Sequence, residues 1–453
     1  MIENYTNNKK VFHFFTKTNK LNLKQNIFTV IVGKNGTGKS TLLGNMIYDL
    51  INDKGKKYYD NSELGYKKFT KGEVKCIQKP ARIIAVSTSP FDKFPLGMMR
   101  SEIDNYDYLG LRDLNSYNFS VSYMSKIISS LISSVNKRTK QANDISKVLK
   151  YLEYRDSIEI YFDDHRTRRN ITFILDKIKR NKENEIQNSM YPINTLNRMF
   201  FLDKEGKIDE KKRKKFLTLI EKYISFKKDA KYKIQINAKG INFNKNPLDK
   251  SDLLFLIQSG VMRLSDVLLT PIKYGKKFSI KDASSGEQSV ILSILGIASK
   301  IKDRSLICID EPEVCLHPEW QAKYIQILIS TFKLFKACHF IIATHSPQII
   351  SSLDDKNCFI LSLESRKVFP ADNFVNNSAD YQLANIFNYP GFKNEYLSRI
   401  SLNIFLKVSK NKYFDNTDKE NYNILLQQSN FLSKSDPIYD LFNAIKEMYE
   451  QYV

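Results

Sequence analysis

Short apolar runs rich in β-branched residues punctuate the chain: Ile27-Phe28-Thr29-Val30-Ile31-Val32, Ser305-Leu306-Ile307-Cys308-Ile309, and His339-Phe340-Ile341-Ile342-Ala343-Thr344. Runs of this length without polar alternation read as strands buried on both faces. Cys358-Phe359-Ile360-Leu361-Ser362-Leu363 has the same character. Between them the period changes to that of helices. Ser40 to Ile47 continues as a helix, Val290, Ile291, Ile294 and Leu295 recur at helical spacing, and Pro318 opens a helix with Ile325, Leu328, Ile329, Phe332 and Phe335 on one face. Buried strands separated by such helices predict an α/β fold.

These strands fall in two blocks, residues 1–100 and 265–370, read as the N-terminal and C-terminal lobes of one interrupted domain. The stretch between them, 101–264, is polar and patterned for helices. Ile127, Ile128, Leu131, Ile132 and Val135 lie at helical spacing within Tyr123 to Leu152, and Lys211 to Phe226 reads as another helix. A mainly helical insertion, an arm or lid, is therefore expected there. Residues 371–453 read as a C-terminal helical region that completes the core or offers a partner surface.

Composition narrows the setting. The chain has 453 residues, and its length alone suggests about three domains. No stretch approaches the roughly 18 consecutive apolar residues of a membrane span, and Met1-Ile2-Glu3-Asn4-Tyr5 lacks the basic-then-apolar start of a signal peptide. A soluble, cytoplasmic protein with no membrane partner is expected. Five scattered cysteines without C-x-x-C spacing support neither a disulfide framework nor a zinc site. The formal charge of +22 invites a DNA or RNA partner, but only 15 of the 71 basic residues are Arg, and a lysine-rich coding bias spreads charge over any surface. Two clusters, His165-Arg166-Thr167-Arg168-Arg169 and Lys211-Lys212-Arg213-Lys214-Lys215, are the candidates for a nucleic-acid contact; a solvated face is the alternative.

The chemistry is concentrated in four strings. Gly33-Lys34-Asn35-Gly36-Thr37-Gly38-Lys39-Ser40 satisfies G-x-x-x-x-G-K-[ST] and stands between a strand and a helix. Gly33, Gly36 and Gly38 let backbone N–H groups turn toward phosphate oxygens, Lys39 reaches the β and γ phosphates, and Ser40 offers a hydroxyl to Mg²⁺. Asn35 and Thr41 complete the cradle, and the helix dipole favours the bound charge. ATP and Mg²⁺ are the implied cofactors. Further on, the strand Ser305 to Ile309 ends in Asp310 and Glu311; strand-end alternation would aim Asp310 at the metal and Glu311 at an attacking water as general base. The strand His339 to Thr344 delivers His345 beside them as a γ-phosphate sensor. Ser284-Ser285-Gly286-Glu287-Gln288 starts a second phosphate-gripping helix. Because Lys39 already holds the nucleotide in its own chain, that second helix makes sense if it closes over the ATP of another copy, which predicts a two-fold dimer.

In this order, GKNGTGKS, ASSGEQS, ICIDEPEVCLHP and ATHSP resemble the ABC-type P-loop ATPase heads of the SMC, RecF and OLD (overcoming lysogenisation defect) group, over roughly half the chain. The resemblance implies a mixed sheet flanked by helices. It also implies that Ser285 and Gly286, with Gln288 in the same motif, meet the γ phosphate held by the opposite subunit. More narrowly, Ser87-Thr88-Ser89-Pro90-Phe91-Asp92-Lys93-Phe94, the string from Asp310 to Trp320, and Asn394-Glu395-Tyr396-Leu397 are similar to PtuA-type defence ATPases. Those occur in Septu and some retron systems beside a separate HNH nuclease. The expected function is thus an ATPase whose ATP-dependent dimer, or higher homo-oligomer, governs an effector nuclease in anti-phage defence.

The sequence departs from the transporter pattern at three places. Ser284 and Glu287 alter the signature, His317 stands where a D-loop aspartate would be, and Ser87-Thr88-Ser89 occupies the Q-loop region without a glutamine. A DNA-repair clamp without an effector suits the charge and fold equally. An OLD-type nuclease would need a TOPRIM domain, and no Asp-x-Asp pair follows His345.

Overall fold

In the computed structural model, described for residues 1–16, 21–52, 70–96, 105–112, 114, 119–137, 139–163, 198–201, 209–224, 232–243, 248–314, 316–354 and 356–453, the first lobe opens with a hairpin. Strands β1 (Ile2–Asn7) and β2 (Lys10–His13) are joined by Asn8 and Lys9, both at positive φ, the two-residue turn whose twist suits a hairpin. There follow β3 (Ile27–Val32), α1 (Lys39–Asn52), β4 (Gly72–Cys76), β5 (Arg82–Ser87) and β6 (Tyr106–Leu109). The insertion supplies α2 (Phe119–Lys137), α3 (Thr139–Tyr151), β7 (Ser157–Asp163), α4 (Glu210–Ile224), β8 (Tyr232–Asn237), β9 (Gly240–Asn242) and α5 (Lys250–Gln258). The second lobe runs β10 (Arg263–Leu269), β11 (Phe278–Ser279), α6 (Ser285–Lys300), β12 (Ser305–Asp310), α7 (Pro318–Phe332), β13 (His339–Ala343), α8 (Pro347–Ser351), β14 (Cys358–Ser362) and β15 (Val368–Pro370). The tail folds into α9 (Ala379–Asn385), α10 (Glu395–Asn411), α11 (Asn416–Gln428) and α12 (Pro437–Tyr452).

The fold is α/β. Its main sheet has seven strands in the order β15-β14-β3-β13-β12-β5-β6, parallel throughout except for the antiparallel edge pair β14–β15, and so mixed. Strands β3, β12, β13 and β14 are buried at every position, which is why they read as unbroken apolar runs. Strands from both lobes interleave: β13 and β12 of the second stand between β3 and β5 of the first. The sheet also recruits β6, beyond residue 100. Tyr106-Asp107-Tyr108-Leu109 has no apolar run, and its place comes from parallel pairing to β5.

The insertion differs from the expected arm. Beside its helices it holds β7, β8 and β9, which join β10 and β11 in an antiparallel sheet of order β11-β10-β7-β8-β9. Its described elements also share a continuous hydrophobic core with one face of the main sheet, and so pack against that sheet. The buried face of α2, Ile127, Ile128, Leu131, Ile132 and Val135, is the one the spacing marks. Helix α2 lies so close to α6 that a Cβ on Gly296 would stand 2.9 Å from Ile127 Cδ1. Ser130 and Ser299 hydroxyls meet there at 2.8 Å.

Of the two basic clusters, His165 to Arg169 lies outside the described residues. Lys211 to Lys215 lies on α4, where much of its charge is paired within the fold: Lys212 with Asp209, Arg213 with Glu210 and Lys215 with Asp252. The C-terminal helices close on a core of their own that includes Leu397, Ile404, Val408, Leu425 and Ile445.

Candidate functional site

The loop from β3 to α1 takes its shape from two glycines. Gly36 has φ +79° and Gly38 φ +94°, and no atom lies within 4 Å of a Cβ built on either, so backbone conformation and not crowding requires glycine there. Asn35, Gly36 and Thr41 are exposed around the loop mouth, and Lys39 is buried at its base. Lys39 Nζ donates to the carbonyl oxygens of Gly33 at 2.9 Å and Lys34 at 3.3 Å, and lies 2.5 Å from His345 Nε2. Burial lowers the Lys39 pKa, opposed by the carboxylates of Glu311, Glu313, Asp310 and Glu364.

Next to it, β12 delivers Asp310, 1% exposed, whose Oδ1 accepts from Ser40 Oγ at 3.0 Å. Burial pushes the Asp310 pKa up to about 7; neighbouring Glu311, Asp92 and Glu313 push the same way against the Ser40 hydrogen bond. A buried carboxyl crowded by acids and touching a hydroxyl fits a divalent cation, whose charge would favour the ionised form. Among the described residues no group of three or more His, Cys, Asp and Glu side chains is set to hold a metal ion. Mg²⁺ takes one or two protein ligands and fills its shell with phosphate oxygens and water; Ser40 and Asp310 would be those ligands.

Glu311 leaves the strand by a different route from the alternation expected for it. Its φ is +49°, a left-handed conformation that is costly for a side chain of this size, and its N–H donates to Ala343 O at 2.9 Å. This turn brings Glu311 Oε1 to 3.9 Å from His345 Nε2. His345 follows β13, which runs between β3 and β12, so sheet order alone places it between Lys39 and Glu311. Burial and the Lys39 charge push its pKa down to about 4, which leaves the ring neutral with Nε2 accepting from Lys39.

The signature string forms the start of α6. Ser284 caps α6, its hydroxyl accepting from Glu287 N at 3.2 Å. Ser285 is exposed in the first turn beside buried Gly286, and Gln288 donates its side-chain amide to Ala283 O at 3.0 Å. Glu287 accepts from Tyr154 OH at 2.9 Å, which ties the signature turn to the insertion. Among the described residues, no hydrogen bond joins Ser285 or Gly286 to the Lys39 cluster. His317 caps α7 through Nδ1, at 3.4 Å from Glu319 N.

Two acids that the sequence places inside recognisable strings but gives no role are engaged near the site. Asp92, 1% exposed, accepts from Tyr108 OH at 2.6 Å and from Arg112 Nε at 3.0 Å, and so braces the Ser87 to Phe94 segment against β6. That segment crosses α1 at Gly44, where a Cβ would stand 2.2 Å from Lys93 O. Glu313, in the turn after β12, accepts the backbone N–H of His345 at 2.5 Å. Its proximity to Asp310 in sequence was the available clue.

Residues 101–351, more than half the chain, match the family model described as "AAA domain, putative AbiEii toxin, Type IV TA system". The chain belongs to this AAA-domain family. The matched span holds β12, α6, β13 and His345, and the Lys39 loop precedes it. This AAA-domain chain is 28% identical over 138 residues to the retron Vc95 probable ATPase of Vibrio cholerae serotype O1 biovar El Tor, covering 27% of this chain and 26% of that one. It is 29% identical over 127 residues to the retron Ec83 probable ATPase of Escherichia coli, covering 25% and 22%. Protein ea59 of Escherichia phage lambda is 23% identical over 341 residues, 74% of this chain and 48% of the phage protein. The chain thus spans about a quarter of the retron relatives and about half of the phage relative. Among solved structures, an Smc head bound to the C-winged helix domain of ScpA aligns with TM-score 0.29 and 14% identity, over 81% of this chain and 96% of that one. Among the described residues, no helix is long and apolar enough to cross a membrane.

Proposed function

We propose that the chain is an ATP-binding and hydrolysing ABC-type ATPase whose ATP-dependent dimerisation governs a partner effector nuclease of the HNH type in anti-phage defence. The observation that carries the ATPase reading is the convergence of segments remote in sequence: Lys39 on His345 at 2.5 Å and Ser40 on Asp310 at 3.0 Å. The loop N–H groups of Gly33 to Thr41, with Asn35 at the mouth, would bind the phosphates, and Lys39 would exchange its carbonyl partners for β and γ oxygens. Ser40 and Asp310 would hold Mg²⁺, which supplies charge neutralisation on the transferring phosphoryl group. Glu311 orients and deprotonates the attacking water, and neutral His345 contacts the γ-phosphate oxygen that Lys39 leaves free to it.

In this reading Ser285, Gly286 and Gln288 would serve a nucleotide held by a second copy; the exposed start of α6 at Ser285 supports it. The printed description of the retron relatives as probable ATPases supports the enzymatic reading. The effector rests on resemblance to the PtuA-type ATPases. Co-purification with the product of an adjoining HNH gene, with and without ATP, tests it; the absence of any such complex would favour a DNA clamp working alone. The internal pairing of Lys212, Arg213 and Lys215 leaves fewer free charges on α4 for DNA or RNA.

A further inference from the structure

We infer that Glu313 is a positioning residue for His345, an assignment that rests on the ATPase reading above and adds to it the element that aims the γ-phosphate contact. Strand β13 ends at Ala343, and the next three residues are pinned one by one. Thr344 N donates to Ile31 O at 3.1 Å on the strand that leads into the phosphate loop. His345 N donates to Glu313 Oε1 at 2.5 Å, and Ser346 Oγ donates to Gln321 Oε1 at 2.7 Å on α7. The middle pin is the one made by a charge-bearing group, and it acts on the backbone of the residue whose ring touches Lys39.

The chemistry of Glu313 argues against a role in packing alone. Its carboxyl is enclosed: Oε1 accepts from His345 N, the Thr344 hydroxyl and the N–H of Glu313 itself also face it, and burial pushes its pKa up. Burying a carboxyl costs stability, the more so this close to Asp310 and Glu311. A glutamine or serine would cap the same N–H more cheaply. An expensive group kept beside a reacting centre is the pattern of a residue retained for geometry in that centre. Through the His345 backbone, Glu313 fixes where the ring sits between Lys39 Nζ and Glu311 Oε1, at 2.5 and 3.9 Å. Because Glu313 lies in the turn between β12 and α7, movement of α7 would reach His345 by this bond.

The test is a double-mutant cycle on the full chain. Glu313→Ala should lower kcat by about 10- to 100-fold while the dissociation constant for ATP, held mainly by the Lys39 loop, changes little. Glu313→Gln, which keeps an acceptor oxygen, should restore most of the rate. Added to His345→Ala, Glu313→Ala should bring almost no further loss, since its action passes through His345. Should Glu313→Ala fail to fold, Glu313→Leu fills the space without an acceptor and enters the same cycle. Losses that multiply fully, or a Glu313→Ala enzyme with normal kcat, overturn the assignment. If instead Glu311→Gln and His345→Ala hydrolyse ATP as fast as the parent, it is the ATPase site itself that fails, and the two results are told apart.

Discussion

Lys39 Nζ stands 2.5 Å from His345 Nε2, although 306 residues separate them. The contact exists because β3 and β13 are parallel neighbours, paired from Ile27 and His339 onward, so both chains leave the same end of the sheet side by side. A phosphate oxygen arriving there would accept from the ammonium, and from the imidazole in the tautomer that carries its proton on Nε2.

From this follows the expected behaviour of His345→Ala. Phosphate binding through the Lys39 loop persists, and turnover falls by about 10²–10³-fold, the loss typical of removing one preorganised donor. Steady-state hydrolysis alongside fluorescent nucleotide binding checks it; equal losses in affinity and rate would make His345 a binding group only.

Glu311→Gln should keep ATP binding and lower hydrolysis by about 10²–10⁴-fold, as the removal of a general base does. Lys39→Ala should abolish nucleotide binding itself. A Glu311→Gln protein that hydrolyses ATP normally assigns the water to another group.

The fold should respond to acid through His339. Its ring is buried between Phe14 and Phe15, Nδ1 accepts from Ile2 N at 3.2 Å, and Nε2 lies 3.0 Å from Thr29 Oγ1, which donates to Phe14 O. Burial holds its pKa well below 6.5. The unfolded chain therefore binds the proton first, and stability present above pH 6.5 is lost as pH falls below it, with a slope approaching about 1.4 kcal/mol per pH unit from this group. Urea denaturation between pH 5 and 7.5 should show that component in the parent and not in His339→Gln. Identical slopes would contradict the assignment.

Gly44→Ala should destabilise the chain by about 1–3 kcal/mol, the usual range for overpacking, because its Cβ would meet the Lys93 carbonyl and not a yielding side chain. Thermal melting measures it. An unchanged midpoint would mean that the 88–94 segment is not held against α1.

How legible all this was in the sequence depended on how local each feature is. Gly33 to Ser40 is contiguous, its glycines serve its own backbone, and both flanks were plain. Strands β3, β12 and β13 declared themselves because burial on both faces removes polar alternation. In contrast β8, Tyr232-Lys233-Ile234-Gln235-Ile236-Asn237, has an alternating pattern, but its partners β7 and β10 come from distant parts of the chain, and its lysine-rich surroundings hid the period. The left-handed turn at Glu311 arises from its hydrogen bond to Ala343 across the sheet, which no local pattern encodes. Glu313 and Asp92 became visible only when burial and partners could be counted, since an acid in a loop reads as solvated until the fold encloses it.

The most direct test of the account is the mass of the Glu311→Gln chain in solution, measured by light scattering with and without Mg²⁺ and ATP. The account predicts that saturating ATP doubles the mass, and that Ser285→Arg on the same background leaves it single while ATP still binds. A mass indifferent to ATP, or a doubling that survives Ser285→Arg, would contradict the shared nucleotide on which the proposed function depends.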